Sequence, residues 1–341
     1  MFEYALGMDL GTSSVQIYRP GKGIVLQEPS VVAVRRHGGS VVCAGSEAQR
    51  LLGREPDGLA AVHPLRAGVI SDCGMAGRMV QDFVRQCGTR HFSRMNLLIC
   101  VPPMISELEE RAVIDAGLQA GANRVYLAEE PAAAAAGAGI QPDSAKGVLL
   151  VDIGAGTTDI AVLSCGAVVT ARSIRTAGNR MDAEIQDYLK KEKQLEIGIR
   201  TAEHIKCTIG CAVPREERTE MTVCGRSIQT GLPASVTLSD AELSEVLADC
   251  VHTIIRSACA VIASVPPELV GDLTENGAVL TGGGAQLYGI EQRFAQQTGL
   301  MTRVADEPET CVARGTARWL GQLHTMQEGT INLARRRLGI A

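Results

Sequence analysis

The sequence predicts an α/β protein of two related lobes, each a mixed sheet flanked by helices, with a cleft between them. Three observations carry this. Gly147 to Ser164, GVLLVDIGAGTTDIAVLS, reads as a buried apolar strand, a tight Gly-rich turn with an acid just before it, and a second strand. Tyr4 to Tyr18, YALGMDLGTSSVQIY, repeats that order more faintly at the start of the chain. Between and after them, strand-like runs alternate with helical periodicity, which is the pattern of α/β architecture. One strand–Asp–Gly–Thr–strand unit per half implies an internal duplication.

The elements follow in order. Val31–Val34 and Val41–Ala44 are short strands around the turn His37-Gly38-Gly39, and Gln49 to Asp57 is a polar connection. Met75, Met79, Val80 and Phe83 share a helical face, predicting a helix from Met75 to Gln86. Leu97 to Val101 is a buried strand stopped by Pro102-Pro103. Ser106 and Glu109 form a capping-box signature for a helix running to about Gln119. Val125 to Leu127 is a strand, followed by Glu129-Glu130-Pro131 and an alanine-rich helix with proline in its first turn. The polar stretch Gln141 to Gly147 is the best boundary between the halves.

After the second hairpin come a strand at Val168–Ile174 and helices around Arg180–Lys193 and Thr201–Thr208. Residues 214–238 alternate as paired strands around Gly225 and Gly231. Ser239 and Glu242 cap a long helix whose apolar face includes Leu243, Leu247, Cys250, Ile254 and Ile255. Ala278–Thr281 is a strand ending in Gly282-Gly283-Gly284, with a helix after it. Cys311 to Leu323 is read as one final helix, and the tail with Arg335-Arg336-Arg337 as solvated.

Composition narrows the function classes. The 341 residues, 45% hydrophobic and 21% charged, suffice for two globular domains with sizeable cores. A net charge of −5 and only 3% aromatic residues argue against nucleic acid as a partner. The 11 cysteines include no C-x-x-C pair, and Cys207 and Cys211 lack a His/Cys cluster beside them, so a reducing cytosol is expected rather than disulfides or zinc. MFEYALGMDL has no secretory pattern, and no apolar run approaches the ~20 residues of a membrane span, so a soluble protein able to lie on a membrane surface is expected.

Three Gly-rich turns follow apolar strands: Gly11-Thr12-Ser13, Gly154-Ala155-Gly156-Thr157-Thr158 and Gly282-Gly283-Gly284. Glycine lets backbone N–H groups approach phosphate oxygens, and successive N–H groups form an anion-binding nest. A single such turn is equally a hairpin's ordinary chemistry; two that each place Asp two residues before Gly, with Thr soon after, point to phosphate held between the lobes. Asp9 and Asp152 end the strands before the first two turns. They either cap the turns locally or hold a cation against phosphate, for which Mg²⁺ is the natural choice. There is no G-x-x-x-x-G-K-[ST], G-x-G-x-x-G or G-x-S-x-G, which disfavours P-loop NTPases, dinucleotide dehydrogenases and serine hydrolases.

GMDLGTSS, LAEEPAAAAAGAG, VDIGAGTTDIAV and LTGGGAQL, in that order, resemble the actin/chaperone/sugar-kinase ATPase superfamily. ICVPP, RTAGNRMD, TAEHIK, VPPELVGDL and TCVARGTA narrow the resemblance to MreB and its close paralogues (Mbl), the bacterial actin-like shape proteins, nearly end to end. The resemblance implies an actin-like fold with lobe I at 1–141 plus 310–341 (small subdomain about 31–64) and lobe II at 142–309 (small subdomain about 178–254). It implies that ATP and Mg²⁺ are bound. Gly11, Thr12 and Ser13 form the first phosphate loop, and Gly154, Ala155, Gly156 and Thr157 the second. Asp9 and Asp152 hold hydrated Mg²⁺, and Glu130, assisted by Thr157, positions the attacking water. Glu203 and Lys206 reach the nucleoside, and Gly282, Gly283 and Gly284 line its adenosine side.

On the residues alone, Glu203 and Lys206 are equally an exposed ion pair, and Glu130 a first-turn helix acid. Ala155, Asp159 and Asn179 stand where this family commonly has Gly, Glu and Asp, which bears on hydrolysis rate more than on binding. Ala155 keeps its N–H available while its φ stays negative. The implied function is a weakly ATP-hydrolysing, filament-forming protein at the inner face of the cytoplasmic membrane. Its expected partners are itself, the membrane and the membrane proteins of cell-wall elongation. The segment His91 to Met95 is the candidate membrane contact or, as plainly, a connection between helix and strand. The alternatives are a DnaK-type chaperone ATPase, expected to carry a peptide-binding domain after this one, and a small-molecule kinase of the same fold.

Overall fold

The computed structural model describes residues 3–88, 94–141, 146–323 and 326. Its two five-stranded sheets have the same topology. In the first, Glu3–Leu10 pairs antiparallel with Ser14–Arg19, which pairs with Gly23–Pro29. On its other side Glu3–Leu10 runs parallel to Arg94–Val101, which is parallel to Arg124–Glu129. In the second, Val148–Ile153, Thr158–Ser164 and Ala167–Ile174 form the antiparallel meander, and Ala278–Thr281 and Thr302–Val304 add in parallel beside Val148–Ile153. Val148–Ile153 is buried along its whole length, as a strand covered on both faces must be.

The apolar residues sort into three layers by strand alternation. Leu97, Ile99 and Val101 face a core under the helices Cys73–Gln86 and Glu107–Gln119, with Met79, Phe83 and Val113. Leu149 and Val151 face a second core with Ile185, Ile205, Leu247 and Ile254 from the helices Gly178–Glu192, Ile199–Ile209 and Asp240–Ile262. Leu98, Cys100, Leu150 and Ala161 point the other way, into a layer between the sheets. That layer is filled by the short helices Glu130–Gly137 and Cys311–Gly315.

Those two helices meet backbone to backbone. A Cβ added at Gly137 would overlap the carbonyl of Cys311, and one at Gly315 would overlap the carbonyl of Ala133. Arg314 Nη2 donates to the Gly137 carbonyl at 2.8 Å. The run of alanines in the first helix is therefore a spacing device: small side chains let the sheets approach through a single thin layer.

Each large sheet carries a small three-stranded one. Val41–Ala44, Val32–Arg35 and Leu59–Val62 form one, and Leu195–Glu196, Glu220–Ser227 and Pro233–Ser239 the other. Both capping boxes exist: Ser106 with Glu109, and Ser239 with Glu242.

Three expectations are corrected. The stretch from Cys311 is not one helix; it breaks at Thr316, whose hydroxyl donates to the Ala313 carbonyl at 2.6 Å, and resumes as Ala317–Leu320. The triple glycine does not open a helix directly: Gly283–Gln286 is one 3₁₀ turn, and the helix Ile290–Thr298 follows. Gly225 lies inside a strand, opposite Ala234, rather than at a turn, and its backbone passes too close to Leu195 and Glu196 for a side chain. Periodicity also missed the two-residue hairpin of Leu65–Arg66 and Val69–Ile70, whose turn Ala67-Gly68 has φ of 48° and 79°.

Gly315→Ala should destabilise the protein by about 3 kcal/mol or more, since the helices must separate along their length. Urea unfolding measures it; a change under 1 kcal/mol would show that the crossing has slack.

Candidate functional site

The two long hairpins point their turns at each other. Asp9 faces Gln16 across the first hairpin, and Asp152 faces Asp159 across the second, at the same register. Each turn closes identically: Gly11 N–H donates to the Ser14 carbonyl at 3.1 Å, and Gly154 N–H to the Thr157 carbonyl at 2.9 Å. Gly156 abuts Thr12, with no room for a Cβ between them. The Gly154 and Ala155 carbonyls accept from the N–H groups of Gly178 and Asn179, which ties the second turn to a helix start. Ala155 is not among the residues with positive φ, so alanine fits there without strain. Gly68 N–H donates to Thr12 Oγ1 at 2.8 Å and packs on Thr157, seating the missed hairpin over both turns.

Between the turns lies a cavity of about 420 Å³. Its walls include Asp9, Gly11, Thr12 and Ser13 from the first half and Asp152, Gly154, Ala155, Gly156 and Thr157 from the second. Glu130, Glu203, Lys206, Gly282, Gly283 and Gly284 border the same space. Every site residue expected from sequence is thus gathered at one cavity. Gly282 needs its φ of 79°, because its backbone passes against Ile153 and the Asp152 carboxylate.

Four carboxyl groups share this space, and their protonation reflects it. Burial and the Asp152 charge push Asp9 up to about 7. Burial and Asp159 push Asp152 up to about 7, against the 2.9 Å bond it accepts from Thr281 Oγ1. Burial raises Asp159 to about 6, opposed by bonds from Ser173 and Thr157. Burial, then Asp159, Asp9 and Asp152, hold Glu130 well above the usual carboxylate range. Asp159 Oδ1 is buried without a hydrogen-bond partner.

Such a cluster calls for a cation. The donors are all hard oxygens, which suits Mg²⁺. Among the described residues no three His, Cys, Asp or Glu side chains converge tightly enough to hold a metal directly, so a hydrated ion fits this donor set and a bare one does not.

Lys206 does not pair with Glu203. Its ammonium lies 2.8 Å from Asp182 Oδ1 and donates to the Gly178 carbonyl at 3.2 Å. The exposed i,i+3 ion pair allowed by sequence is replaced by a half-buried tertiary one. Asp159, noted in the sequence only as a departure from the family pattern, and Gln16, Arg215 and Tyr288, given no role there, also border the cavity. A signal existed for the first two: each lies seven residues after its strand-ending aspartate. Arg215 and Tyr288 had none, being brought in by a loop and by the turn after the third glycine run. Of the suggested membrane-contact segment, His91 to Ser93 lies outside the described residues, and Met95 is buried in the first core, which removes it from any surface role. Arg335-Arg336-Arg337 also lies outside the described residues. No helix among the described residues is long and apolar enough to cross a membrane.

Two duplicated sheets, a thin helical layer and paired Asp–Gly turns around one cavity define an actin-like two-lobed fold. Comparisons with known proteins agree. The family described as MreB/Mbl protein matches residues 3–328, and the chain belongs to that family. It is 42% identical to the cell shape-determining protein Mbl of Bacillus subtilis over 93% of this chain and 95% of that protein. It is also 42% identical to the cell shape-determining protein MreB of Escherichia coli, over 92% of each. Among solved structures, MreB5 of Spiroplasma citri bound to ADP superposes with a TM-score of 0.90 at 33% identity, covering 94% of this chain and 97% of that one. The same protein bound to AMPPNP gives 0.89 at 33%, covering 95% and 98%. These matches do not favour a chaperone or a small-molecule kinase.

The raised carboxyl groups make stability depend on pH. Asp9 titrates near 3.8 when unfolded and about 7 when folded, so the native state holds the extra proton between those values. Stability therefore falls as pH rises through that window. Without metal or nucleotide, Asp9→Asn should be more stable than the parent at pH 8, with the gap closing towards pH 5. Urea midpoints at the two pH values check this; an equal gap at both would mean that Asp9 carries no such penalty.

Proposed function

We propose that this chain is an ATP-binding, actin-like cytoskeletal protein. It polymerises into filaments at the inner face of the cytoplasmic membrane and, with membrane proteins of cell-wall elongation, organises wall synthesis to set cell shape. It hydrolyses ATP slowly, with Mg²⁺. One observation carries the nucleotide reading: phosphate-type turns and acids from both halves of the chain border a single cavity. The relatives, which are cell shape-determining proteins, and the ADP- and AMPPNP-bound structures of MreB5 support the rest. The division into lobe I (1–141 plus 310–341, small subdomain about 31–64) and lobe II (142–309, small subdomain about 178–254) belongs to this reading, and the two sheet systems support it.

The residues divide the work. The first glycine of each turn spends its N–H on closing the turn, so the N–H groups of Thr12, Ser13, Ala155, Gly156 and Thr157 are the ones that meet phosphate oxygens. Asp9 and Asp152 would hold a hydrated Mg²⁺, which would supply charge neutralisation for the phosphates. Glu130, assisted by Thr157, orients a water in line with the γ-phosphorus and takes its proton. The water oxygen bonds to phosphorus as the bond to the β,γ-bridging oxygen breaks, leaving ADP and phosphate. Burial, and then the charges of Asp159, Asp9 and Asp152, raise Glu130's proton affinity, which suits it to that task. Glu203 and Lys206 reach the nucleoside, and Gly282 to Gly284 form its adenosine-side wall.

Glu130→Ala should slow phosphate release by about 100-fold or more while ATP affinity stays within a few-fold. Unchanged turnover would remove Glu130 from the mechanism. Purified protein with ATP and Mg²⁺ should sediment as polymer and show filaments by electron microscopy; a monomer under every nucleotide and crowding condition would defeat the cytoskeletal reading.

A further inference from the structure

Arg215 and Tyr288 border the cavity together. The guanidinium carbon of Arg215 stands 4.3 Å from the centroid of the Tyr288 ring, a stacking distance. We infer that this pair forms a plate on which the base of the bound nucleotide stacks, and that it favours purines over pyrimidines by contact area. The inference rests on the nucleotide reading above and assigns one part of that site.

Three observations point to a built feature. First, both residues are held by backbone bonds that leave their side chains to the cavity. Ala212 N–H donates to the Tyr288 carbonyl at 2.7 Å, and Cys211 and Tyr288 form a β-bridge. Arg215 and Thr219 N–H groups donate to the two carboxylate oxygens of Asp240, at 3.0 and 3.2 Å. Asp240 is itself the first residue of the capped helix Asp240–Ile262.

Second, the guanidinium is not consumed by the protein. Among the described residues no carboxylate lies within ion-pair distance of it, and its Nε–H is buried without a partner. Asp240, on which Arg215 acts, spends its oxygens on backbone N–H groups instead. A cation left in this state is available to a ligand.

Third, the plate is not part of the phosphate end. The charges that raise Asp9, Glu130, Asp152 and Asp159 are one another's, and Arg215 is not among them. Arg215 acts on Cys211 and Asp240. A guanidinium that does not act on the four acids stands apart from the phosphate end. Its planar, weakly hydrated group is instead suited to stacking, with the tyrosine ring behind it as support. Tyr288 is 41% exposed, which leaves ring surface open as well.

Binding of ATP, CTP and Mg²⁺–tripolyphosphate to parent and variant proteins tests this. Arg215→Ala and Tyr288→Ala should each weaken ATP binding about tenfold or more, and weaken CTP binding less. Arg215→Lys, which keeps the charge but loses the plane, should behave like Arg215→Ala. Tripolyphosphate, having no base, should bind all four proteins equally, which also shows that the variants are folded. Parental ATP affinity in Arg215→Ala, or full rescue by Arg215→Lys, overturns the stacking plate while leaving the nucleotide site standing. If the parent protein binds tripolyphosphate but neither nucleotide, or binds nothing, the nucleotide reading falls and takes the plate with it.

Discussion

The crossing of Glu130–Gly137 with Cys311–Gly315 sets the spacing on which the rest of the structure depends. Side chains at Gly137 or Gly315 would force the two backbones apart. Because neither exists, one thin layer of alanine, cysteine and glycine separates two large sheets, and both sheets bury apolar residues against it. That separation puts the turn of one hairpin against the turn of the other, so closely that Gly156 leaves no room beside Thr12. It also delivers Glu130, at the head of the same helix, to the cavity that the turns enclose. Packing in the middle and chemistry at the rim are therefore one constraint.

The cost of that geometry is electrostatic. Four carboxyl groups converge, and the Lys206 ammonium that borders the same cavity is held by Asp182. Like charges directly opposite in a sheet destabilise it, and Asp152 faces Asp159 in register. A folded protein keeps such a conflict where a ligand relieves it. Protons relieve it in the free protein, and under the proposed function a hydrated cation with nucleotide phosphates would do so in the loaded one. The first hairpin carries Gln16 where the second carries Asp159, so the two halves of the duplication have the same geometry but unequal charge.

Much of this was legible in the chain. The two hairpins, the capping boxes at Ser106 and Ser239 and the long helix after the second of them are local, set by alternation, turn chemistry and cap chemistry within a few residues. What failed was also physical. Thr316 interrupts a helical pattern by bonding its own turn, and Gly225 is glycine because a neighbouring strand leaves no room for a side chain, not because the chain turns there. The hairpin at Leu65–Ile70 is too short for any period to register.

The sequence by itself determined the acids, the glycines and their order: which residues can meet phosphate, and that two copies of one unit exist. Those are properties of single residues and short spacings. Only the tertiary structure decided that Lys206 answers Asp182 rather than Glu203, that Asp159 stands beside Asp152 and Glu130, and that Arg215 lies on Tyr288. Apart from Asp152 and Asp159, partners within one hairpin, each joins residues between 24 and 73 positions apart, brought together by sheet register and helix packing, which no local pattern encodes.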